Sequence, residues 1–431
     1  MKQSLLKNKE RNKSRLKNGE YLKKQTNFLS ERSRFAYAPL HEYDALARSI
    51  EKKGKKVIWL NRGDLAIYFK TPKYFIDAYV KSLKSGKTFY AQPTGINELR
   101  EAISNRYKRL YGVRFGPEKA IVTQGVSEAL NFMNAAMING GDAALMFKPY
   151  YSSYMPFLRF YGGTVYVHDY DESRNWDLDR DKIESMFRKN RGMARKVKYM
   201  LITNPNNPTG SVLDRKTLED VVEFAKDHGI FLISDEIYDE IVYNGAKFTS
   251  IAQLAKGIPH MILNGASKVF DAPGIRIGYM VLPEEDKLSN ELRKKFTDFC
   301  DMRLSANTPA QYAFADAINN RKAHEKALRK MVASIENRVH FATKLLNENE
   351  YVHAIEPRGA FYIFPKIDIK QLNLRSSGAF VEKLLKEKGV YLTSGKGFGS
   401  EGHARLVSAA TKEILADAIN KINEFCKAHA R

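Results

Sequence analysis

Short apolar runs alternate with stretches of helical periodicity through the middle of the chain. Between the runs, apolar residues recur every three or four positions, as Leu218, Val221, Val222 and Ala225 do on one face of a helix. Strands separated by single helices favour parallel β-α-β units with helices on both faces of a sheet. The strand candidates are AIVT (120–123), AALMF (143–147), TVYV (164–167), VKYMLIT (197–203) and IFLIS (230–234).

The pattern changes after residue 310, where the helical stretches lengthen and only short strand candidates occur, within 357–367 and 390–395. This predicts a second, smaller α+β unit. Residues 38–53 have the periodicity of an amphipathic helix that ends at Gly54. The fold prediction is therefore α/β with four parts. These are a tail (1–34), a segment that joins the small domain (35–60), a large domain (61–310) and a small C-terminal domain (311–431).

The N-terminal tail is the most basic part of the chain. The whole sequence of 431 residues has a net charge of +22, and residues 1–34 hold eleven Lys or Arg and three Glu, which is +8 of that total. Few aromatic residues accompany these charges, and zinc-finger, RNP and KH signatures are absent from the sequence. We therefore expect a solvated, partly disordered tail and no nucleic-acid partner.

Cysteine content and hydropathy bear on the cell compartment. The only two cysteines, Cys300 and Cys426, make a disulfide framework improbable and favour a reducing compartment. No run approaches the roughly 18 consecutive apolar residues of a transmembrane helix. The tail has no apolar signal-peptide core, and its three Glu do not suit a transit peptide. We expect a cytoplasmic protein without a membrane partner.

Two kinds of site are excluded by spacing. The nine histidines are scattered, and neither an HExxH motif nor a Cys/His pair has metal-ligand spacing, so no metal site is expected. The stretch GVYLTSGKG (389–397) is one residue too long for a P-loop and has Gly397 where Ser or Thr is required. Neither metal chemistry nor nucleotide binding through a P-loop is predicted.

Four loops that follow strand candidates carry polar residues, at the edge where parallel sheets bind ligands. Singly, each has a common structural explanation, such as a helix cap, a turn or a solvated lysine. Together they indicate one ligand with a phosphate, a basic ring nitrogen and an electrophilic carbon. The loops are Gly125-Val126-Ser127 at a helix start, NPNNPTG (204–210), SDEIYDEI with Asp235 after its strand, and NGASKVFDAPGIRIGYM (264–280) with Lys268 and Arg276.

The motifs NPNNPTG, SDEIY, SK…R and the later HARLVSA occur in an order that resembles the class I/II aminotransferases, which are fold-type I pyridoxal-phosphate enzymes. The resemblance covers residues 35–425. It implies a large domain with a mostly parallel seven-stranded sheet flanked by helices, and a smaller α+β domain. It also implies pyridoxal 5′-phosphate as cofactor, and amino-group transfer between an L-amino acid and a 2-oxo acid.

The resemblance implies roles for the residues of a cofactor site. Lys268 matches the lysine that binds the cofactor covalently and moves protons. Asp235 matches the aspartate that pairs with the ring nitrogen, and Arg276 matches the arginine that binds the phosphate. The other matched positions are Gly125, Val126, Ser127 and Ser267 around the phosphate, Tyr151 stacked on the ring, and Asn207 and Tyr238 at the ring oxygen.

The resemblance also implies substrate contacts and a partner. Arg405, in HARLVSA, matches the arginine that holds the substrate α-carboxylate, with Gly63 and Asn207 beside it. Tyr90 matches a tyrosine that reaches the phosphate of the neighbouring subunit. We therefore expect a homodimer with shared active sites, acting on small-molecule amino and oxo acids.

Substrate choice is predicted from departures within the family pattern. The stretch NRGDLAIYFKTP (61–72) replaces the usual Gly-acid-Pro run, and Ser127 stands where some aspartate enzymes have a lysine. MRLSANTPAQYA and EPRGAFYIFPKID are similar to the alanine (glutamate–pyruvate) aminotransferases. We therefore expect alanine with 2-oxoglutarate as substrates, giving pyruvate and glutamate. Arg62 and Arg303 are the candidates for binding the distal carboxylate of glutamate.

Other functions remain as alternatives. An aromatic or aspartate aminotransferase, or a β-lyase on the same fold, keeps the cofactor and changes the substrate or the reaction. A transcription regulator with an aminotransferase-like domain needs about 70 residues of winged helix-turn-helix in front. Roughly 35 polar residues cannot supply that domain, so the enzyme is preferred.

Overall fold

A seven-stranded sheet forms the centre of the larger part of the protein. The structure, a computed structural model, describes residues 29–430. The strand Gly278–Val281 runs antiparallel to both of its neighbours and the other strands are parallel, which confirms the predicted mostly parallel sheet. In spatial order the strands are β2 (Ala120–Thr123), β8 (Gly278–Val281), β7 (His260–Gly265), β6 (Phe231–Asp235), β5 (Val197–Thr203), β3 (Ala143–Lys148) and β4 (Thr164–Asp169).

Helices cover both faces of this sheet because its strands are apolar on both sides. Along β5, Tyr199 and Leu201 pack into the core on one face, whereas Met200 and Ile202 pack into the core on the other. The helices of this part are α2 (Lys73–Lys84), α3 (Asn97–Tyr111), α4 (Val126–Met137), α5 (Tyr154–Phe160), α6 (Arg180–Lys189), α7 (Arg191–Ala194), α8 (Arg215–Asp227), α9 (Lys287–Arg303) and α10 (Thr308–Asn319).

Helix α8 illustrates how the sequence determines one covering helix. The Asp214 side chain accepts a hydrogen bond from the backbone N–H of Thr217 at 2.8 Å and so caps the first turn. The apolar positions Leu218, Val221 and Val222 are buried in the core between α8 and the sheet. The helical periodicity of this stretch therefore corresponds to one buried face.

A second hydrophobic core lies between the C-terminal elements and the N-terminal segment. Ile58 of β1 pairs in parallel with Val390 of β12, so residues far apart in the chain share a small sheet. The elements outside the large sheet and its covering helices are α1 (Asp44–Lys52), β1 (Ile58–Trp59), α11 (Arg321–Leu346), β9 (Val352–His353), β10 (Tyr362–Ile363), β11 (Lys366–Ile367), α12 (Ser377–Lys388), β12 (Val390–Tyr391), β13 (Thr393–Ser394), β14 (Ala404–Val407) and α13 (Lys412–His429).

The division expected at residue 310 falls inside α10, which begins at Thr308 and packs against α2 and α3 of the large part. The next helix, α11, contributes to two cores. Met331 and Ile335 lie in a core of the large part, which we call the first core, and Ala342 and Leu346 lie in the second core. The apolar face of α10 is buried against the large part, so a boundary at residue 310 would separate packed helices. We propose that the division lies within α11, near residue 340.

The N-terminal segment departs from the expected continuous helix over 38–53. Pro39–His41 forms a short 3-10 helix, and α1 begins only at Asp44. Tyr43 explains the interruption, because its backbone N–H donates to the hydroxyl of Tyr391 at 3.1 Å instead of to a preceding turn. Residues 1–28 of the predicted tail lie outside the described residues, and Glu31–Phe35 forms a 3-10 helix that contacts α5.

Candidate active site

A cavity of about 180 Å³ lies at the carboxyl ends of β5 and β6. Parallel strands end at one edge of a sheet, so loops distant in sequence converge there. Every predicted site residue except Tyr90 lines this cavity or, for Gly125, precedes a lining residue. The predicted residues among its lining are Gly63, Val126, Ser127, Tyr151, Asn207, Asp235, Tyr238, Ser267, Lys268, Arg276 and Arg405.

Lys268 lies in the loop after β7, and its Nζ donates a hydrogen bond to the backbone carbonyl of Gly63. Burial lowers the pKa of Lys268 to about 8; the positive charge of Arg405 acts in the same direction, and Asp64 opposes it. About one tenth of the lysine is then a free amine at pH 7. A free amine can attack an electrophilic carbon, which an ammonium group cannot do.

Asp235 is the last residue of β6 and is buried. Its carboxylate accepts hydrogen bonds from the Tyr154 hydroxyl at 2.6 Å and from the backbone N–H of Ile237 at 3.2 Å. Burial raises the pKa of Asp235 to about 6. Within residues 29–430 this carboxylate forms no ion pair, so it can still accept a cationic ligand atom such as a protonated ring nitrogen.

The start of α4 and Arg276 together form an anion site. The residue before the helix, Gly125, has φ +76° and gives no side-chain cap, which leaves helix N–H groups available. A Cβ atom at Gly125 would lie 2.4 Å from Nη2 of Arg276, so only glycine lets the guanidinium approach the helix start. Ser127 and Ser267 line the same region. The arrangement suits a phosphate.

Arg405 lies on β14 with 1% of its surface exposed. Its guanidinium donates to the side-chain oxygen of Asn207 at 2.9 Å and to the backbone carbonyl of Asn61 at 2.5 Å. It has no carboxylate partner in the described part of the chain, where its Nε also lacks a hydrogen-bond acceptor. A buried arginine with unused donors is a site for a ligand carboxylate.

Two further contacts join the predicted residues into one network. The amide nitrogen of Asn207 donates to the Tyr238 hydroxyl at 3.3 Å, so Asn207 connects Arg405 with Tyr238. A Cβ atom at Gly63 would lie 2.3 Å from the Tyr362 hydroxyl. Glycine is therefore the one residue type that fits at position 63, between Lys268 and Tyr362.

Sequence reasoning missed seven lining residues, which are Leu40, Leu130, Tyr154, Thr203, Ile237, Pro273 and Tyr362. Tyr154 had a signal, since it follows Tyr151 by three residues in KPYYSSY, and the centroids of the two rings lie 5.3 Å apart. Tyr362, in RGAFYIF, had none, because it lies 124 residues from its partner Tyr238. Leu40 comes from the 3-10 helix Pro39–His41, whose position depends on tertiary contacts.

Three residues considered from the sequence lie elsewhere. Tyr90 is 81% exposed and outside the cavity. Arg303 forms an ion pair with Glu128 at 2.6 Å and also donates to the backbone carbonyl of Pro93. Arg62 pairs with Asp44 at 3.3 Å, and its guanidinium lies 4.4 Å from the Trp59 ring. Neither arginine lines the cavity.

Two further kinds of feature are absent from residues 29–430. They contain no group of three or more His, Cys, Asp or Glu side chains placed to hold a metal ion. They also contain no helix with the length and apolar character needed to cross a membrane.

Known proteins resemble this chain over most of its length. The family model for aminotransferase class I and II matches residues 55–422. Aspartate aminotransferase of Thermotoga maritima is 34% identical, over 89% of this chain and 95% of the relative. Glutamate–pyruvate aminotransferase of Haemophilus influenzae is 31% identical, over 90% and 94%. The solved alanine aminotransferase of Pyrococcus furiosus has a TM-score of 0.87 and 35% identity, covering 93% of this chain and 100% of that one.

The fold is therefore that of the fold-type I pyridoxal-phosphate enzymes. Within that class, the chain belongs to the class I and II aminotransferases and is a pyridoxal-phosphate-dependent transaminase. The cavity fits this cofactor in three respects. It offers a lysine with a lowered pKa, a buried carboxylate without an ion-pair partner, and an anion site at a helix start.

Proposed function

We propose that this aminotransferase uses alanine and 2-oxoglutarate and yields pyruvate and glutamate. The observation that carries the proposal is the charge of the cavity. Its cationic lining residues in the described chain are Lys268, Arg276 and Arg405. Each has a proposed role toward the cofactor or the α-carboxylate, which leaves no cation for a short acidic side chain. A methyl group suits the remaining surface, to which Leu40 contributes.

We propose that the cofactor is held as the family pattern implies. Arg276, the start of α4, Ser127 and Ser267 would bind the phosphate, and Asp235 would pair with the ring nitrogen. Tyr151 would stack on the ring, with Asn207 and Tyr238 at the ring oxygen. When bound, pyridoxal phosphate supplies a reactive aldehyde carbon and a ring that withdraws electrons from bonds at that carbon.

The chain's own groups then position the substrate and move its proton. Arg405 binds the α-carboxylate through guanidinium donors that have no carboxylate partner in residues 29–430. Lys268 Nζ, with a pKa of about 8, accepts a proton and returns it while its amine stays near the Gly63 carbonyl. Burial of these groups excludes water, which strengthens each charge interaction.

Glutamate needs a cation for its distal carboxylate, and we propose Arg62. Arg303 is held by Glu128 and by the Pro93 carbonyl, and breaking that buried pair would leave Glu128 unpaired. Arg62 adjoins Gly63, is partly exposed, and makes one ion pair at 3.3 Å. A rotation of its side chain would break that partly exposed ion pair and the contact with the Trp59 ring at 4.4 Å, and each of these losses is modest.

We propose a homodimer with shared active sites. Exposed apolar side chains at Phe89, Tyr90, Met302 and Leu304 form one surface, since the loop at residues 89–93 contacts α9 and α10. Exposed aromatic and apolar residues that adjoin one another are typical of an interface. A second copy would bury this surface and receive Tyr90 at its phosphate site.

The substrate proposal is tested by kcat/KM for alanine, aspartate, tyrosine and phenylalanine with 2-oxoglutarate as acceptor. We expect alanine to be the best donor, aromatic amino acids second and aspartate third. Aspartate is included in the test because the relative from Thermotoga maritima is named for it. If aspartate or an aromatic donor exceeds alanine tenfold, about 1.4 kcal/mol of transition-state preference, the alanine proposal is wrong and the transaminase assignment stands.

A further inference from the structure

Strand pairing brings Tyr362 beside Arg405. β10 and β14 are antiparallel neighbours, with Tyr362 opposite Val407 and Ile363 opposite Leu406. The Arg405 guanidinium lies 4.5 Å from the centroid of the Tyr362 ring. Tyr362 is 1% exposed, so this contact is shielded from water. A desolvated cation over an aromatic ring is held more firmly than an exposed one.

The hydroxyl of Tyr362 contacts a different residue. It lies 2.9 Å from the Tyr238 hydroxyl, with the two rings at 87° to each other. Burial raises the pKa of Tyr362 to about 12, and burial also raises the pKa of Tyr238 well above its usual value. Both hydroxyls therefore keep their protons at neutral pH, and each can donate one hydrogen bond.

The neighbouring amide fixes the direction of one hydrogen bond to Tyr238. The side-chain oxygen of Asn207 accepts from Arg405 at 2.9 Å, which leaves the amide nitrogen to donate to Tyr238 at 3.3 Å. The Tyr238 oxygen has a second lone pair, and the Tyr362 hydroxyl is placed to donate to it. Either hydroxyl of this pair can be the donor, and donation by Tyr362 leaves the Tyr238 proton free to point into the cavity.

We propose that Tyr362 is a positioning residue of the active site, whose hydroxyl directs the Tyr238 proton into the cavity and whose ring holds the Arg405 guanidinium. The inference rests on the proposed roles of Tyr238 and Arg405. The two functions of Tyr362 are separable. A phenylalanine removes the hydroxyl and keeps the ring, and a leucine removes both.

The hydroxyl is tested by titrating the visible absorbance of the cofactor-loaded enzyme without substrate. A donor to the ring oxygen of the cofactor stabilises the more negative, deprotonated form, so weakening that donor raises the midpoint. We expect Tyr362→Phe to raise the midpoint by about 0.5 pH unit and Tyr238→Phe to raise it further. The double variant should equal Tyr238→Phe, because the effect of Tyr362 passes through Tyr238.

The matched control is Tyr199→Phe. Tyr199 is buried away from the cavity, and its hydroxyl donates to Asn134 at 2.8 Å. This variant loses a buried hydroxyl and some thermal stability, and we expect its titration midpoint to stay at the wild-type value. An unchanged midpoint in Tyr362→Phe would overturn the inference. So would a double variant whose shift is the sum of the two single shifts.

The ring is tested by the dissociation constant of glutarate, a dicarboxylate that has no amino or keto group to react. Tyr362→Phe should bind it within twofold of wild type, and Tyr362→Leu about threefold or more weakly. Equal binding by all three proteins would contradict the proposal that the Tyr362 ring holds the Arg405 guanidinium. If the wild-type enzyme has no titratable visible absorbance, the proposed cofactor site itself fails. If the wild type titrates and Tyr362→Phe titrates identically, only the present inference fails.

Discussion

Arg106 and Arg405 are both almost completely buried, and their surroundings carry different charge. Arg106, on α3, is 2% exposed and pairs with Asp239 at 2.7 Å and Glu240 at 2.5 Å. Arg405, on β14, is equally buried but is held by an amide oxygen and a backbone carbonyl. A buried charge without a counterion is unfavourable. The chain supplies carboxylate partners for Arg106. For Arg405, we propose that a ligand supplies the carboxylate.

The comparison separates stability from function at residues of the same type. The carboxylates around Arg106 belong to the chain, so this cluster contributes to the stability of the fold whether or not substrate is bound. Tyr111 adds to it by donating its hydroxyl to Asp239 at 2.6 Å. We propose that the carboxylate for Arg405 arrives with the substrate. Burial alone therefore does not identify a functional arginine, whereas burial without a protein carboxylate does.

The largest expected effect is that of Arg405→Met on turnover. Loss of a buried, hydrogen-bonded partner for the substrate carboxylate should lower kcat/KM about 1,000-fold, or about 4 kcal/mol. The melting temperature should stay the same or rise, because an unpaired buried cation is removed. Steady-state kinetics and calorimetry measure both, with Arg405→Lys as the control that keeps the charge. A large fall in melting temperature with retained activity would show that Arg405 is structural.

Arg106→Met should give the opposite result. Asp239 and Glu240 would be left buried without their cation, which should lower the free energy of unfolding by about 3–5 kcal/mol. Activity per folded molecule, measured below the new melting temperature, should remain within about threefold of wild type. Tyr111→Phe is the milder control, with an expected loss of about 1 kcal/mol. Loss of activity without loss of stability would contradict the assignment.

A smaller effect concerns the pH dependence of cofactor uptake by the apoenzyme. The folded-state pKa of Lys268 lies below that of the unfolded chain, so the reactive free amine accumulates as pH rises through about 8. The uptake rate should rise about tenfold from pH 6 to pH 7 and level off above pH 8. Arg405 lowers this pKa, so Arg405→Met should move the midpoint upward, and Arg106→Met should not. Stopped-flow absorbance measures the rate, and identical midpoints in all three proteins would contradict the proposed coupling.

The smallest expected effect is that of deleting residues 1–28. Residues 1–28 contain nine Lys or Arg and two Glu, a composition that predicts a solvated segment. Deleting them should leave kcat/KM, cofactor content and melting temperature unchanged, since charges in water need no protein partner. The deletion is compared with the full chain in the same assays. A marked loss of activity or solubility would mean that this segment contributes to the folded enzyme.

The two arginines also differ in how far the sequence predicts them. Arg405 lies in HARLVSA, and the resemblance predicts that it binds the substrate α-carboxylate. Arg106 had a local signal, since Leu99, Ala102, Ile103, Arg106 and Tyr107 have the spacing of one helix face. Its partners lie 133 and 134 residues away, and local periodicity contains no information about such a distance.

The same limit applies to the fold. Strand positions in the large sheet followed from apolar runs, because a strand buried on both faces leaves a continuous apolar signal. Local patterns did not predict the break before α1, since it depends on a hydrogen bond from Tyr43 to Tyr391. They did not predict Tyr362 as a site residue either, because two strands of two and four residues place it there. Contacts between distant segments determine these features.

Helix α11 has 26 residues and is about 39 Å long. Its side chains pack into both cores and so connect them. The flanking residues of Arg405, Ala404 and Leu406, belong to the second core, whereas Lys268 follows a strand of the first. In the proposed site, the α-carboxylate and the reacting atoms of a substrate would thus be positioned by residues of different cores, and α11 connects the two cores. If this helix bent by a few degrees, Arg405 would move relative to Lys268. We therefore expect that a substitution in α11, far from the cavity, can change kcat.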